Sequence, residues 1–172
     1  VYVSNSVALG FHRRLQKFAS DAALMLILAS GSPRRRELLA QIGVRFEVDV
    51  ADIDETPEAS EVAQAYVERL ALEKARVVAA RHSDAVVLGS DTSVIIDGEI
   101  LGKPLDEADA ATMLARLAGR THQVLTAVAL VNGERALVRS VITQVHFRSL
   151  SEEEIQCYVA TGEPSDKAGS YG

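Results

Sequence analysis

Three consecutive arginines stand where a helix is expected to begin. Ser32 and Pro33 form a typical helix start, since serine caps helices and proline suits the first helical position, and Arg34, Arg35 and Arg36 follow directly. A helix N-terminus already carries partial positive charge and unpaired N–H groups, so each arginine costs about 0.3–1 kcal/mol there. Two explanations are open: the arginines extend into water, or they bind an anion such as phosphate.

Asp91 is the carboxylate that stands out most clearly as a candidate for chemistry. The apolar run 85–88 predicts a buried strand that ends in Gly89-Ser90-Asp91-Thr92, and α/β proteins bind ligands at the carboxyl ends of strands. The alternative is a turn aspartate that bonds its own backbone. Lys103 follows a hairpin signal, Asp97-Gly98, and lies near Asp91 only if the strand register allows; otherwise it is solvated.

The acidic loop 52–60 and the helix expected after it contain two further candidates. Glu55 stands with two aspartates in that loop. Such acids are usually solvated surface, but they can also hold a hard divalent cation through their oxygen atoms. Lys74 follows Glu73 in the middle of the predicted helix, where it either forms a surface pair or points towards a phosphate.

The elements that must hold these residues follow from the hydrophobic pattern. Apolar runs or alternation predict strands over 24–28, 45–50, 85–88, 99–101, 123–131 and 135–147, and residues 93–96 are expected to continue as extended chain. Caps and spacing predict helices over 32–43, 60–82 and 106–119 and from 151 onward. Asn132-Gly133 predicts a second hairpin turn. Because strands and helices alternate early and hairpins follow, we expect an α/β or α+β fold with a mixed β-sheet flanked by helices.

Composition limits the class of protein. The 172 residues are 48% hydrophobic with a net charge of −6, which fits one globular domain and argues against a general nucleic-acid binder. Tryptophan is absent and aromatics are few, so base-stacking surfaces are not expected. Cys157 is the only cysteine, which excludes an internal disulfide and fits a reducing cytoplasm. No apolar run is long enough to span a membrane.

Six segments occur in a characteristic order. They are LILASGSPRRRELL, DIDET, LALEKA, VLGSDTSVIIDGEILGKP, LAGRTHQVLTAVAL and GEPSDKAGSYG, and they extend over residues 26–172. In these segments the chain resembles the Maf family of nucleoside triphosphate pyrophosphatases. The resemblance implies an elongated mixed sheet of the inosine-triphosphatase kind with a central cleft. It also implies a cytoplasmic, usually dimeric enzyme that converts a nucleoside triphosphate to the monophosphate and pyrophosphate with Mg²⁺ or Mn²⁺, and that binds neither nucleic acid polymers nor membranes.

The resemblance assigns phosphate contacts to five residues at matching positions. Ser30, Arg34 and Arg35 fall in the family's phosphate-binding turn, and Lys74 and Lys103 match phosphate-contacting lysines. The arginines at the helix start are therefore expected to bind a triphosphate.

The resemblance also assigns catalytic, metal-binding and base-selecting positions. Asp91 matches the proposed general base that activates water, and Glu55 and Asp91 match metal-associated acids. Arg34 and Thr92 match positions tied to base choice and resemble the branch acting on dTTP and UTP. The branch acting on 7-methyl-GTP tends to carry Trp and Gln there, although Gly89-Ser90 and the DETP stretch resemble that second branch. We expect a dTTP/UTP pyrophosphatase, with 7-methyl-GTP as the alternative substrate.

The two ends of the sequence differ from the rest of the chain. Met25 opens the first strand, and residues 1–24 show no clear period, so we expect a non-native or disordered extension before a single domain at 25–172. The family pattern continues after AGSYG with an Ile-Gln-Gly stretch, a strand and a helix, which this chain lacks. Two further alternatives follow: a catalytically impaired remnant that at best binds nucleotide, and a phosphate-binding regulatory module, such as one linked to division control.

Overall fold

The computed structural model describes residues 25–172, so the expected extension at residues 1–24 lies outside the described part. The strands there are β1 (Leu26–Leu28), β2 (Glu47–Val48), β3 (Val86–Ile96), β4 (Glu99–Leu101), β5 (Thr121–Asn132) and β6 (Arg135–His146). The helices are α1 (Pro33–Gln41), α2 (Ala63–Ala79), α3 (Glu107–Leu117) and α4 (Glu152–Val159), followed by 3₁₀ turns at Glu163–Asp166 and Ala168–Ser170. No described helix has both the length and the apolarity to cross a membrane.

The six described strands form one mixed sheet. Its order is β2-β1-β3-β5-β6, and β4 pairs with β3 outside this path. β1 pairs in parallel with both β2 and β3, whereas β3 and β4 are antiparallel. The parallel pairs arise because α1 and α2 carry the chain back to the start of the sheet, as βαβ connections do. The predicted mixed α/β fold is confirmed.

Two compact units divide the described residues. The first comprises 25–56, 69–90 and 128–139, and the second comprises 57–68, 91–127 and 140–172. The first unit buries a cluster of three leucines, Leu28, Leu39 and Leu88. The second unit buries two apolar clusters, one centred on Val94, Ile96, Leu101 and Leu117 and one on Ala110, Leu114, Ile155 and Val159. The expectation of a single domain stays a prediction.

Two local predictions at the start of the chain were wrong. The helix expected from residue 60 begins only at Ala63, and Ser60, a residue type that suits a helix cap, has φ +63° in a turn. The strand expected at 45–50 shrinks to Glu47–Val48, which pairs with the short strand β1 through Ile27 and Leu28. β1 has only three residues, so few backbone groups are available to extend that ladder.

Both predicted hairpins are present, but one of them turns at a different place. Asp97 and Gly98 have φ +54° and +80°, as a tight primed turn between β3 and β4 requires. At the β5–β6 hairpin, Asn132 is the last residue of β5, and Gly133 has φ +54°. The Asn132 side chain instead donates a hydrogen bond to the carbonyl of Ala85, 3.0 Å away.

Candidate active site

The turn before α1 is organised by Ser30 rather than by Ser32. The Ser30 hydroxyl is buried and accepts hydrogen bonds from Arg35 Nη1 at 2.9 Å and from the N–H of Ser32 at 3.3 Å. Ser32 has the extended backbone of a cap residue, yet its side chain makes no capping bond, so the predicted serine cap is not formed. Arg35 is half-buried, whereas Arg34 and Arg36 are exposed.

The first turn of α1 keeps its positive character. It contains no acidic residue, and Pro33 has no N–H to donate. The N–H of Arg36 makes a helical hydrogen bond to the carbonyl of Ser32, four residues earlier, at 3.3 Å. A helix start of this kind, with arginine side chains and the positive end of the dipole together, suits an anion with several acceptor oxygens.

Lys74 is a buried cation in the first unit. Only 7% of the residue is exposed, and its Nζ lies 2.8 Å from Oε1 of Glu55, whose side chain is about half exposed. The alternative of a surface pair with Glu73 is wrong, since Glu73 pairs with Arg69 at 3.4 Å. A buried ammonium requires a close partner of opposite charge, and the acidic loop supplies it.

Gly89 explains how α2 holds Lys74 in this position. A Cβ atom at Gly89 would lie 2.1 Å from the carbonyl oxygen of Ala71 and 2.8 Å from the backbone nitrogen of Ala75. Only glycine therefore permits this approach between β3 and α2. Ala71 and Ala75 are fully buried there, and they flank Lys74 in the helix.

Asp91 lies inside a strand and not at its end, which corrects the expectation from the sequence. β3 runs without interruption from Val86 to Ile96, and Asp91 is 7% exposed. The polar residues around position 91 suggested a strand end, but pairing with neighbouring strands continues past them. Ser93, on the same face of β3, directs its hydroxyl towards Oδ2 of Asp91 at 3.5 Å. A carboxylate buried in mid-strand is costly unless it is bonded or used.

Thr92 and Lys103 lie in the same unit as Asp91. The β3–β4 register pairs Val94 with Leu101, so extending it by two residues puts Lys103 level with Thr92. The register thus allows the hairpin to bring Lys103 back towards Asp91, which the sequence alone did not decide. Lys103 itself is exposed. The Thr92 hydroxyl lies 3.1 Å from the hydroxyl of Thr126 on β5. Thr126 was not predicted as a site residue, because threonine is common in strands and gave no local signal.

The acidic loop is not organised as a metal cage by itself. Within residues 25–172, no three or more histidine, cysteine, aspartate or glutamate side chains are grouped so that they could hold a metal ion. Asp54 instead accepts a hydrogen bond from the N–H of Thr56 at 2.9 Å. Hydrogen bonds from the Thr56 side chain and backbone hold the pKa of Asp54 below its usual value.

The predicted residues divide between the two units. Ser30 and Arg35 are brought together in the first unit, as are Glu55 and Lys74, and Arg34 stands exposed beside Arg35 in the chain. The second unit contains Asp91, Thr92 and Lys103.

The family model described as Maf-like protein matches residues 25–172 of this chain. The chain belongs to the Maf family. The predicted family is thereby confirmed, over all of the residues that the structure describes.

Several curated relatives of this Maf chain carry the same name, dTTP/UTP pyrophosphatase. The relative from Symbiobacterium thermophilum is 58% identical over 147 residues, which cover 86% of this chain and 76% of the relative. The relative from Myxococcus xanthus is 59% identical over 148 residues, covering 86% and 74%. The relative from Escherichia coli O157:H7 is 57% identical over 148 residues, covering 86% and 75%.

Solved structures agree with the fold of this Maf chain. The Ham1 protein of Staphylococcus aureus aligns with a TM-score of 0.52 at 16% identity and covers 71% of each chain. A HAM1 protein from Coxiella burnetii aligns with a TM-score of 0.51 at 19% identity and covers 72% of each chain. At such low identity these matches show the fold alone.

Proposed function

We propose that this Maf protein hydrolyses dTTP and UTP to the monophosphates and pyrophosphate. The observation that carries the proposal is the 57–59% identity to relatives named for that activity, over about three quarters of their length. Arg34 and Thr92, the residues that resemble the dTTP/UTP branch, stand within the matched region.

Arginine side chains at the start of α1 and two lysine side chains would bind the phosphates. At the start of α1, Ser30 orients Arg35 through a 2.9 Å hydrogen bond, and Arg34 extends into solvent next to it. Lys74 offers a buried ammonium, and Lys103 offers an exposed one. Their charges would offset the negative charge of the phosphate oxygens, which grows on the leaving pyrophosphate as the bond breaks.

Asp91 takes the role of general base. A water molecule attacks the α-phosphorus, and the bond from that phosphorus to the oxygen that bridges to the β-phosphate breaks. Pyrophosphate leaves, and the water proton passes to the Asp91 carboxylate. Burial in β3 gives that carboxylate a fixed position, since β3 pairs with β1 before residue 91 and with β4 after it.

A divalent metal ion, Mg²⁺ or Mn²⁺, fits the donor chemistry of this chain. Mg²⁺ prefers oxygen ligands and usually takes one or two carboxylates together with substrate phosphates and water. Glu55 and Asp91 are the carboxylates that the family resemblance assigns to the metal, and the half-exposed side chain of Glu55 is accessible to an ion. When bound, the metal neutralises charge on the phosphate oxygens. A homodimer and a cytoplasmic location also stay predictions, the first of which light scattering can measure.

Pyrophosphate release from a nucleotide panel tests the proposal. The panel contains dTTP, UTP, CTP, GTP and 7-methyl-GTP, each with Mg²⁺ and with the metal omitted. We expect release from dTTP and UTP, and an Asp91→Asn variant should lower kcat by about 10²- to 10⁴-fold because the general base is lost. The matched control is Asp84→Asn, an exposed aspartate that precedes β3, which should leave the rate unchanged.

Three outcomes would contradict parts of the proposal. A preference for 7-methyl-GTP would overturn the choice of nucleotide. Folded protein that releases no pyrophosphate from any nucleotide would favour the impaired remnant. Full activity of Asp91→Asn would remove Asp91 from the reaction.

A further inference from the structure

A buried histidine of the second unit has one ring nitrogen without a partner. His122 on β5 is 2% exposed, and its Nε2 lies 2.6 Å from the hydroxyl oxygen of Tyr171. Its Nδ1 is buried as well, yet no described residue forms a hydrogen bond with it. Unsatisfied buried polar atoms are uncommon in folded proteins, and His122 takes no part in the proposed reaction.

Aromatic rings surround His122. Its ring centroid lies 5.0 Å from that of Phe147 and 5.5 Å from that of Tyr171, both in edge-to-face geometry. Phe147 and Tyr171 are themselves 4.7 Å apart and pack against the two apolar clusters of the second unit. These surroundings favour a neutral imidazole, because a charge that is buried among apolar groups loses its hydration.

The charged and titratable groups around His122 do not supply a free negative charge. Burial lowers the pKa of His122, and the charge of His146 at the end of β6 lowers it further. Asp97, in the β3–β4 hairpin, lines the same cleft as His122, but its carboxylate is paired with Arg120 at 2.5 Å. The Tyr171 hydroxyl stays neutral, since burial raises its pKa to about 12. Two charged residues that flank these groups in the chain are held in ion pairs of their own, Arg148 with Glu154 and Lys167 with Asp166.

Protonation of His122 is unfavourable whichever way its bond to Tyr171 runs. A neutral imidazole carries one proton, so Nε2 either accepts a hydrogen bond from the tyrosine hydroxyl or donates one to it. A protonated imidazole carries a hydrogen on both nitrogens, and the N–H at Nδ1 then has no acceptor among residues 25–172. Protonation would therefore bury both an unpaired donor and an unpaired charge.

Tyr171 follows a 3₁₀ turn that depends on contacts with the rest of the second unit. Ser170 in this turn has φ +63°, a left-handed conformation that serine adopts only at a cost in free energy. The N–H of Gly169 donates to the carbonyl of Gly102 at 3.0 Å. The bond between Tyr171 and His122 adds an anchor directly after the turn. Loss of that anchor would leave a strained turn with less to hold it in place.

We propose that His122 and Tyr171 form an acid-sensitive latch, which holds the turn 168–170 against the second unit at neutral pH and releases it in mild acid. Once the turn has opened, His122 reaches water and takes up a proton at its ordinary pKa of about 6.5. The closed state excludes that proton, so the latch contributes its full stability above about pH 6.5 and loses it as the pH falls below that value. Because Gly102 precedes Lys103, release would also loosen the chain that carries Lys103. The inference is independent of the proposed reaction.

Hydrogen exchange of the full chain, corrected for the intrinsic pH dependence of exchange, tests the latch. The amides to follow are those of Gly169 and Ser170, which bond to the carbonyls of Gly102 and Lys167. Their protection should fall about tenfold between about pH 7.5 and about pH 5.5, since the open state alone binds the proton of His122.

A glutamine at position 122 separates titration from packing. The amide of His122→Gln reaches the place of Nε2 beside Tyr171 and can bond its hydroxyl in either direction, but it does not titrate. Protection of the turn in this variant should therefore be the same at both pH values. His146→Gln is the matched control, because His146 is an exposed histidine of the neighbouring strand, and it should retain most of the fall.

Two results would overturn the inference: wild-type protection of the turn that does not change with pH, or an equal fall in His122→Gln. If His122→Gln does not fold, an NMR titration of the His122 ring in the wild-type protein decides. Protonation of the ring that coincides with loss of protection at Gly169 supports the latch. A ring that titrates near its ordinary pKa while the turn stays protected overturns it.

Discussion

The starts of α1 and α4 are two serine-led helix N-termini built in opposite ways. At α4, the Ser151 hydroxyl accepts from the N–H of Glu154 at 3.2 Å, and the Glu154 carboxylate accepts from the N–H of Ser151 at 2.9 Å. Three glutamates fill the first turn. Arg148 binds Glu154 as well and, with the capping bond, lowers the pKa of that carboxyl to about 2. At α1, Ser32 makes no side-chain cap and three arginines follow Pro33.

The difference separates a helix start that stabilises the fold from one suited to a ligand. Every group at the start of α4 complements the helix dipole and the free N–H groups. At the start of α1, the side chains add positive charge to a positive end, and the Ser30 hydroxyl is bonded to Arg35. Local rules are expected to fail at functional sites, and α1 supports the proposed triphosphate site for that reason.

Removing Arg35 should give the largest effect. Arg35→Ala is expected to lower kcat/KM for dTTP by about 100-fold or more, because an oriented cation opposite developing phosphate charge is lost. The melting temperature should change little, since the removal of a charge unfavourable to the helix dipole offsets the loss of the hydrogen bond to Ser30. Arg45→Ala, an exposed arginine before β2, serves as the control. A large loss of stability with normal kinetics would show that Arg35 stabilises the fold and does not bind the substrate.

Removing the serine at each helix start compares the two directly. Ser151→Ala should lower the free energy of unfolding by about 1 kcal/mol, because the capping box loses its hydroxyl. Ser32→Ala should cost clearly less, since the Ser32 side chain makes no capping bond. Chemical denaturation of both variants measures the difference. Equal costs at the two positions would show that Ser32 caps α1 in solution. Pyrophosphate release by Ser151→Ala should equal that of wild type.

Reversing the charge of Arg36 should give the smallest effect. Arg36→Glu is expected to raise the free energy of unfolding by about 0.5 kcal/mol, because an acid near the helix N-terminus complements the dipole. Thermal denaturation at low salt measures this gain, which should shrink as salt screens the charge. Activity should stay near wild type, since Arg36 is exposed and is not assigned to the substrate. A strong loss of activity would instead add Arg36 to the phosphate-binding residues.

Most of the elements could be predicted because their signals are local. The Ser151 cap, the Asp97-Gly98 turn and Gly119, which has φ +69° just after the end of α3, act within a few residues of chain, and all are found in the structure. Ser60 shows the limit of such signals: its residue type suits a cap, yet its φ of +63° places it in a turn.

The sequence by itself determined the fold class, the family and the residue types of the candidate site. These depend on local hydrogen bonds, hydrophobic periodicity and ordered motifs, which are written in neighbouring residues. Only the tertiary structure decided that Lys74 is buried against Glu55, that Asp91 lies inside β3, and that Thr92 is paired with Thr126. Each of these joins or positions side chains through strand pairing and helix packing between segments distant in the chain. The close approach of α2 to Gly89 is an example, and no local pattern specifies such contacts.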